Sequence, residues 1–150
     1  MTTTLKAERF DEFLLREQIG AFDVKRLDDD DRTSVYRSYI STALGNMDLF
    51  VILDDTVYAT IRLVVGPHAV TADNRADALA FANRANGRFK SFKYYVEEVD
   101  DTLYLDCIYM SADSEFRPEL LYVLMNQIVQ YIPTVESELL AMLGPISNHR

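Results

Sequence analysis

One cysteine, no tryptophan, five glycines and four prolines are spread over 150 residues, and cations are outnumbered, 15 Lys and Arg against 24 Asp and Glu. Each scarcity excludes a class of protein. A lone thiol, Cys107, cannot close an intramolecular disulfide, which fits a reducing compartment. Little Gly and Pro beside 49% hydrophobic residues is not the composition of a disordered chain. A formal net charge of -9 repels phosphate backbones and anionic lipid, so neither nucleic acid nor a membrane is expected as a partner. No apolar run reaches the ~18 residues of a membrane span. The opening stretch MTTTLKAERFDEFLL has no continuous apolar segment of signal-peptide length. A cytoplasmic setting is therefore expected.

Chemistry-bearing patterns are equally scarce. There is no glycine-rich phosphate loop, no metal-ligand spacing and no nucleophile beside a base. Asp28 to Asp31 lacks the alternating ligands, central glycine and closing glutamate of a calcium loop and reads as a solvated loop. The acidic pairs Asp54-Asp55, Glu97-Glu98 and Asp100-Asp101 fall at strand ends, where neighbours point opposite ways and turn chemistry is ordinary. Cys107 shares a strand face with Leu103 and Leu105 and reads as a small core residue. The histidines, His68 and His149, are far from it in the chain. No catalytic residue, metal site or cofactor is assigned, and a non-enzymatic protein is expected.

What is present is architecture. At this length one domain spanning 1–150 is the default, with roughly 68–70% of the unfolded surface buried. Met1 to Thr4 reads as a loose tail. Phe10, Phe13 and Leu14 fall at helical spacing, with Gly20 as the stop signal. Leu27 to Arg32 is too charged to be anything but a loop. Thr33 to Thr42 suits a helical stripe by spacing and a strand by its β-branched and tyrosine content. Asp48 to Leu53 reads as a strand, and Asp54-Asp55 as the turn into Thr56 to Val65. There Val57, Ala59, Ile61, Leu63 and Val65 share one face. Asp73 or Asn74 is expected to cap a helix with Ala78, Phe81, Ala82 and Ala85 as its buried stripe and Gly87 as its left-handed stop. Two tyrosine-rich strands follow, joined around Val99 to Thr102. Asn83 and Asn86 lie on one helical face and are expected to tether the helix end locally.

From about Glu115 a long helical pattern keeps Leu121, Met125, Ile128, Ile132, Val135, Leu139 and Met142 on one seam, with Pro133 forcing a kink or a second helix. Seven apolar side chains in one phase must meet either their own sheet or a second copy. The half beyond Pro133 is expected to supply a homodimer contact through Val135, Leu139 and Met142.

The segments VYRSYI, DDTVYATIRLVV, FANRANGRFKSFKYYVEEVDDTLYLDCIYM and FRPELLYVLMNQI resemble the YbjN family of bacterial proteins, which is built like type III secretion chaperones. The likeness covers residues 33–143 as a pattern of positions. It implies an α+β fold with the order α-β-β-β-α-β-β-α, an antiparallel sheet packed against helices, and Val35 to Thr42 as a strand. It implies no catalytic residues, and its chaperone relatives are small acidic dimers that bind segments of partner proteins. Within such a sheet, alternation turns Tyr58, Arg62, Lys93, Tyr95, Tyr104 and Asp106 away from the core. Tyrosine with arginine is the composition of interface anchors. The same residues also suit a solvated face laced by ion pairs among Arg62, Lys93 and Asp106. A protein or peptide partner docking there is one expectation. A small-molecule sensor with a pocket between helix and sheet is the other.

Overall fold

Thr4, expected in a loose tail, is instead buried in a computed structural model that describes residues 3–147; Met1 and Thr2 of that tail lie outside the described residues. Thr4 accepts the Ala7 amide at 3.1 Å and opens the first helix, α1 (Leu5–Arg16). Ala7, Phe10, Phe13 and Leu14 form its buried stripe. Lys6 is buried on the same helix and donates to the Thr56 and Tyr58 carbonyls at 2.6 and 2.8 Å. Burial holds its ammonium below the usual lysine range, against the pull of Asp54, Asp113 and Asp55. The helix ends before Gly20: Gln18 takes the left-handed conformation, with φ 57°, and the Ile19 amide reaches the Leu14 carbonyl.

Six antiparallel strands follow in the spatial order β1-β2-β3-β4-β6-β5. They are β1 (Asp23–Arg26), β2 (Ser34–Thr42), β3 (Gly45–Leu53), β4 (Tyr58–Gly66), β5 (Phe92–Glu97) and β6 (Thr102–Met110). The α+β class and the antiparallel sheet are as expected, and residues 34–42 are a strand. Two features extend the expected order. β1 is an additional edge strand, four exposed residues paired to β2. Between them lies the acidic loop, where Asp29 takes the Thr33 amide and hydroxyl at 2.8 and 2.6 Å. The C-terminal seam is the second. It divides into α3 (Pro118–Tyr131), one 3₁₀ turn at Ile132–Thr134 and α4 (Glu136–Leu143). Pro133 has no amide to continue the helix, which is why the break falls there.

Between β4 and β5 runs α2 (Arg75–Arg88), with Ala78, Phe81, Ala82 and Ala85 buried as expected. Its ends differ from the expectation. Asn74 stands at the N-cap but makes no capping bond to the helix; its side chain accepts the Thr71 amide and donates to the Ala69 and Met142 carbonyls. Gly87 lies inside the last turn, and extended Phe89 ends the helix. Asn86 makes the expected tether: it donates to the Tyr94 carbonyl at 3.1 Å and accepts the Tyr94 amide at 2.7 Å. Both groups belong to β5, so one side chain stands in for a seventh strand at that edge.

All the helices pack on one side of the sheet. Met47, Leu49, Val51 and Leu53 of β3, Ala59, Ile61, Leu63 and Val65 of β4, and Leu103, Leu105 and Cys107 of β6 are buried against them. Val57 is the exception among the expected core positions: it precedes β4 and is 51% exposed. The distal seam also departs from expectation. Leu139 is 0% exposed within its own chain, and Val135 and Met142 pack partly buried against the same core. The break at Pro133 turns α4 back over α2, so Leu139 is spent inside the chain and is not free to meet a second copy, while Val135 and Met142 keep part of their surface. Cys107 is buried and burial raises its thiol pKa, as befits a core residue.

Candidate functional site

Alternation that buries one face presents the other. On the side away from the helices stand Val35, Arg37 and Tyr39 of β2, Asp48, Phe50 and Ile52 of β3, and Thr60, Arg62 and Val64 of β4. Lys93 and Tyr95 of β5 join them, with Tyr104, Asp106, Ile108 and Met110 of β6. Among the described residues no helix covers this face.

Its centre is a cross-strand ladder. Register places Arg62 opposite Asp106 and Asp106 opposite Lys93; one step along, Val64 faces Tyr104 and Tyr104 faces Tyr95. Arg62 Nε and Nη2 donate to the two carboxylate oxygens of Asp106, each at 3.0 Å. Such a bidentate pair fixes both side chains in one plane. Asp106 is only 3% exposed, although no helix lies above it. The Arg62 guanidinium is 5.4 Å from the centre of the Tyr104 ring, Tyr104 stacks on Tyr95 at 5.5 Å, and the Lys93 ammonium is 5.3 Å from the Tyr95 ring. Tyr104 donates to Asp100 at 3.2 Å. Desolvation, helped by the Asp106 carboxylate, pushes the Tyr95 phenol up to about 12. Desolvation and Asp100 raise Tyr104 as well.

Five of the six residues singled out from sequence therefore meet in one patch: Arg62, Lys93, Tyr95, Tyr104 and Asp106. Tyr58 does not join it. It sits at the start of β4 opposite Met110, in the exposed apolar corner of the face. Only one of the expected ion pairs forms, because Lys93 lies over Tyr95 while Arg62 takes both oxygens of Asp106.

Sequence reasoning missed the apolar part of this face. Phe50, Ile52 and Val64 are half-buried, Tyr39 and Ile108 are exposed, and Met110 is 63% exposed. Within DLFVIL the run Leu49 to Leu53 is apolar throughout, and only alternation against Met47, Leu49 and Val51 shows that Phe50 and Ile52 lack a helix over them. Missed too was Lys6, whose burial depends on backbone carbonyls some fifty positions away.

The patch offers no uncommitted acid or base among its central side chains. Its one buried carboxylate is committed to a guanidinium, and its phenols are driven toward the protonated form. No group of three or more His, Cys, Asp and Glu side chains that could hold a metal ion occurs among the described residues. No helix of the described residues is long and apolar enough to cross a membrane. No protein-family model matches the chain, and no curated protein matches its sequence.

Proposed function

We propose that the chain is a non-enzymatic, chaperone-like module that recognises polypeptide through the uncovered face of its sheet. One observation carries this reading: a broad antiparallel face leaves Tyr39, Tyr58, Ile108 and Met110 in water around a prearranged Arg62, Tyr104 and Tyr95 patch. Aromatic and arginine side chains already held by neighbours lose little freedom on docking, which is the property of interface anchors. The strand edges favour face docking over strand addition. Asn86 occupies the amide and carbonyl of Tyr94 at one edge, and the other edge is a short, charged strand, DVKR. The likeness to the YbjN family and its chaperone relatives points the same way. A homodimer joined through this face, in a cytoplasmic protein, belongs to the same proposal.

A photo-crosslinking residue at Met110, with a control at exposed Leu15 of α1, tests it on the purified chain. Adducts to a second copy, or to an added reduced and unfolded model polypeptide, are expected at position 110 and not at 15. Equal labelling at both positions, or none at 110, defeats the proposal. Sedimentation velocity of Tyr58→Asp then separates the two partners, since only a self-contact changes the sedimenting mass.

A further inference from the structure

The arginines of this acidic chain are mostly matched to carboxylates: Arg26 to Asp11, Arg32 to Asp55, Arg37 to Asp48, Arg62 to Asp106 and Arg84 to Glu138. The end of α2 and the loop from it to β5 break that pattern. Arg88 and Lys90 form no ion pair with any described residue, and the Arg88 guanidinium lies 5.9 Å from the centre of the Phe89 ring. The nearby acid, Glu138, is taken up by Arg84, so these two cations stand outside any ion pair in a chain of net charge -9.

These cations edge a groove of about 560 Å³ between that loop and α3. Three aromatic rings wall it. Phe89 meets Tyr131 edge-on at 4.9 Å, Phe92 lies 5.1 Å from Tyr131, and Phe89 and Phe92 are 5.5 Å apart. The Tyr131 hydroxyl is engaged with that of Tyr94 at 2.8 Å, in the buried interior, so Tyr131 contributes its ring to the wall. Gln127 and Gln130 of α3 line the opposite side as exposed amides. Ligand sites commonly occupy roughly 300–1,000 Å³, with apolar walls and a few polar groups that set orientation.

We propose that this groove binds a small amphipathic anion, an organic carboxylate carrying an aromatic or short alkyl tail. The tail lies against Phe89, Phe92 and Tyr131, and the carboxylate meets Arg88 and Lys90. An arginine fork suits a planar carboxylate bidentately, and the lysine adds a mobile point charge. The groove opens on the helix side of the sheet, whereas Lys93, two residues into β5, belongs to the opposite face. The groove is thus a site separate from the uncovered face.

Amide chemical-shift titration of the whole chain tests the assignment, with 4-phenylbutyrate as the probe and the uncharged 4-phenylbutanol as its control. Saturable shifts at residues 88–92 and 127–134 are expected with the carboxylate, and binding of the alcohol weaker by roughly tenfold or more. The exposed double variant Arg88→Glu with Lys90→Glu should weaken the carboxylate by at least about the same factor while its circular dichroism is unchanged. Three results would overturn the proposal: no saturable shift, equal binding of acid and alcohol, or shifts centred on Tyr58 and Met110. Retained affinity in the charge-reversed variant would do the same.

Discussion

The two faces of this sheet are made by the same strands and the same alternation, yet they solve burial differently. On the helix side, Leu49, Val51, Ile61, Leu63, Leu105 and Cys107 are removed from water by α1 to α4, and their contribution is nonspecific apolar area. On the other side, Asp106 is nearly as buried with no helix above it, screened by Arg62, Tyr95 and Tyr104 lying across the strands. One face is stable because something covers it. The other combines an ordered polar centre with an apolar rim that no helix among the described residues covers. The proposal of a docking surface rests on this pairing of an ordered patch with exposed Met110 and Tyr58, which an ordinary solvated sheet face lacks.

The comparison breaks first if the helix side does not carry the stability. Leu139 lies at the far end of the core and is fully buried. Leu139→Ala should cost about 2–5 kcal/mol in urea unfolding, the range for a leucine-sized cavity. Leu139→Asp should unfold the chain rather than divide a dimer. A well-folded Leu139→Asp monomer would return α4 to the role of subunit contact. Next in size is Ala82, where α2 comes close to the sheet. Ala82→Phe should cost ~1–3 kcal/mol through overpacking. An unchanged urea midpoint would mean that the helix has room to move off the strands.

How much of this was legible beforehand follows from what each pattern depends on. β4, the alanine stripe of α2 and the β5–β6 hairpin carry their own periodicity, so alternation and helical spacing place them. β1 carries none. Its four residues are all exposed, and a strand without a buried side writes no pattern. The heptad seam correctly marked Leu121 to Met142 as apolar and Pro133 as a break. Spacing alone does not name the surface that receives it, and α4 turned out to fold back onto its own chain. Gly20 and Gly87 suggested helix stops that Gln18 and Phe89 perform, because the end of a helix follows the path of the next segment and not only the nearest permissive residue. Asp106 was legible as a residue of the outer face. Its burial was not, since that needs the β4–β6 register and the shift between Val64 and Gly66 near the end of the pairing.

A smaller effect sharpens the outer face. Asp106→Asn removes one charge from a pair in which Arg62 keeps 35% of its side chain in water. Hydrogen bonds to charged groups contribute about 1.5–3 kcal/mol, and that exposure reduces the loss here to ~1–2 kcal/mol. A double-mutant cycle with Arg62→Leu should show positive coupling, with the second substitution costing less than it does alone. Additive losses would mean that the ladder is merely a set of neighbours and that its order plays no part in presenting the face.

The smallest effect is read at alkaline pH and tests the same ladder through Tyr95. Desolvation first, and the Asp106 carboxylate second, hold its phenol at about 12, against about 10 in an unfolded chain. Between those values the folded state keeps a proton that the unfolded state has lost. Tyr95 therefore contributes stability that is fully present below pH ~10 and declines as the pH rises toward 12. Lys6 acts in the opposite sense. Its ammonium is held below the lysine range, so its burial becomes less costly as the pH rises toward ~10.5. The comparison is best made by tyrosinate absorbance of the wild-type chain against Tyr95→Phe, in which the difference isolates one phenol. That difference should titrate near 12, and in the Asp106→Asn background it should move down toward 10 without reaching it, because desolvation remains. A Tyr95 phenol that titrates with the exposed tyrosines would show that the stack on Tyr104 opens in solution, and the rigid centre of the uncovered face would be lost with it.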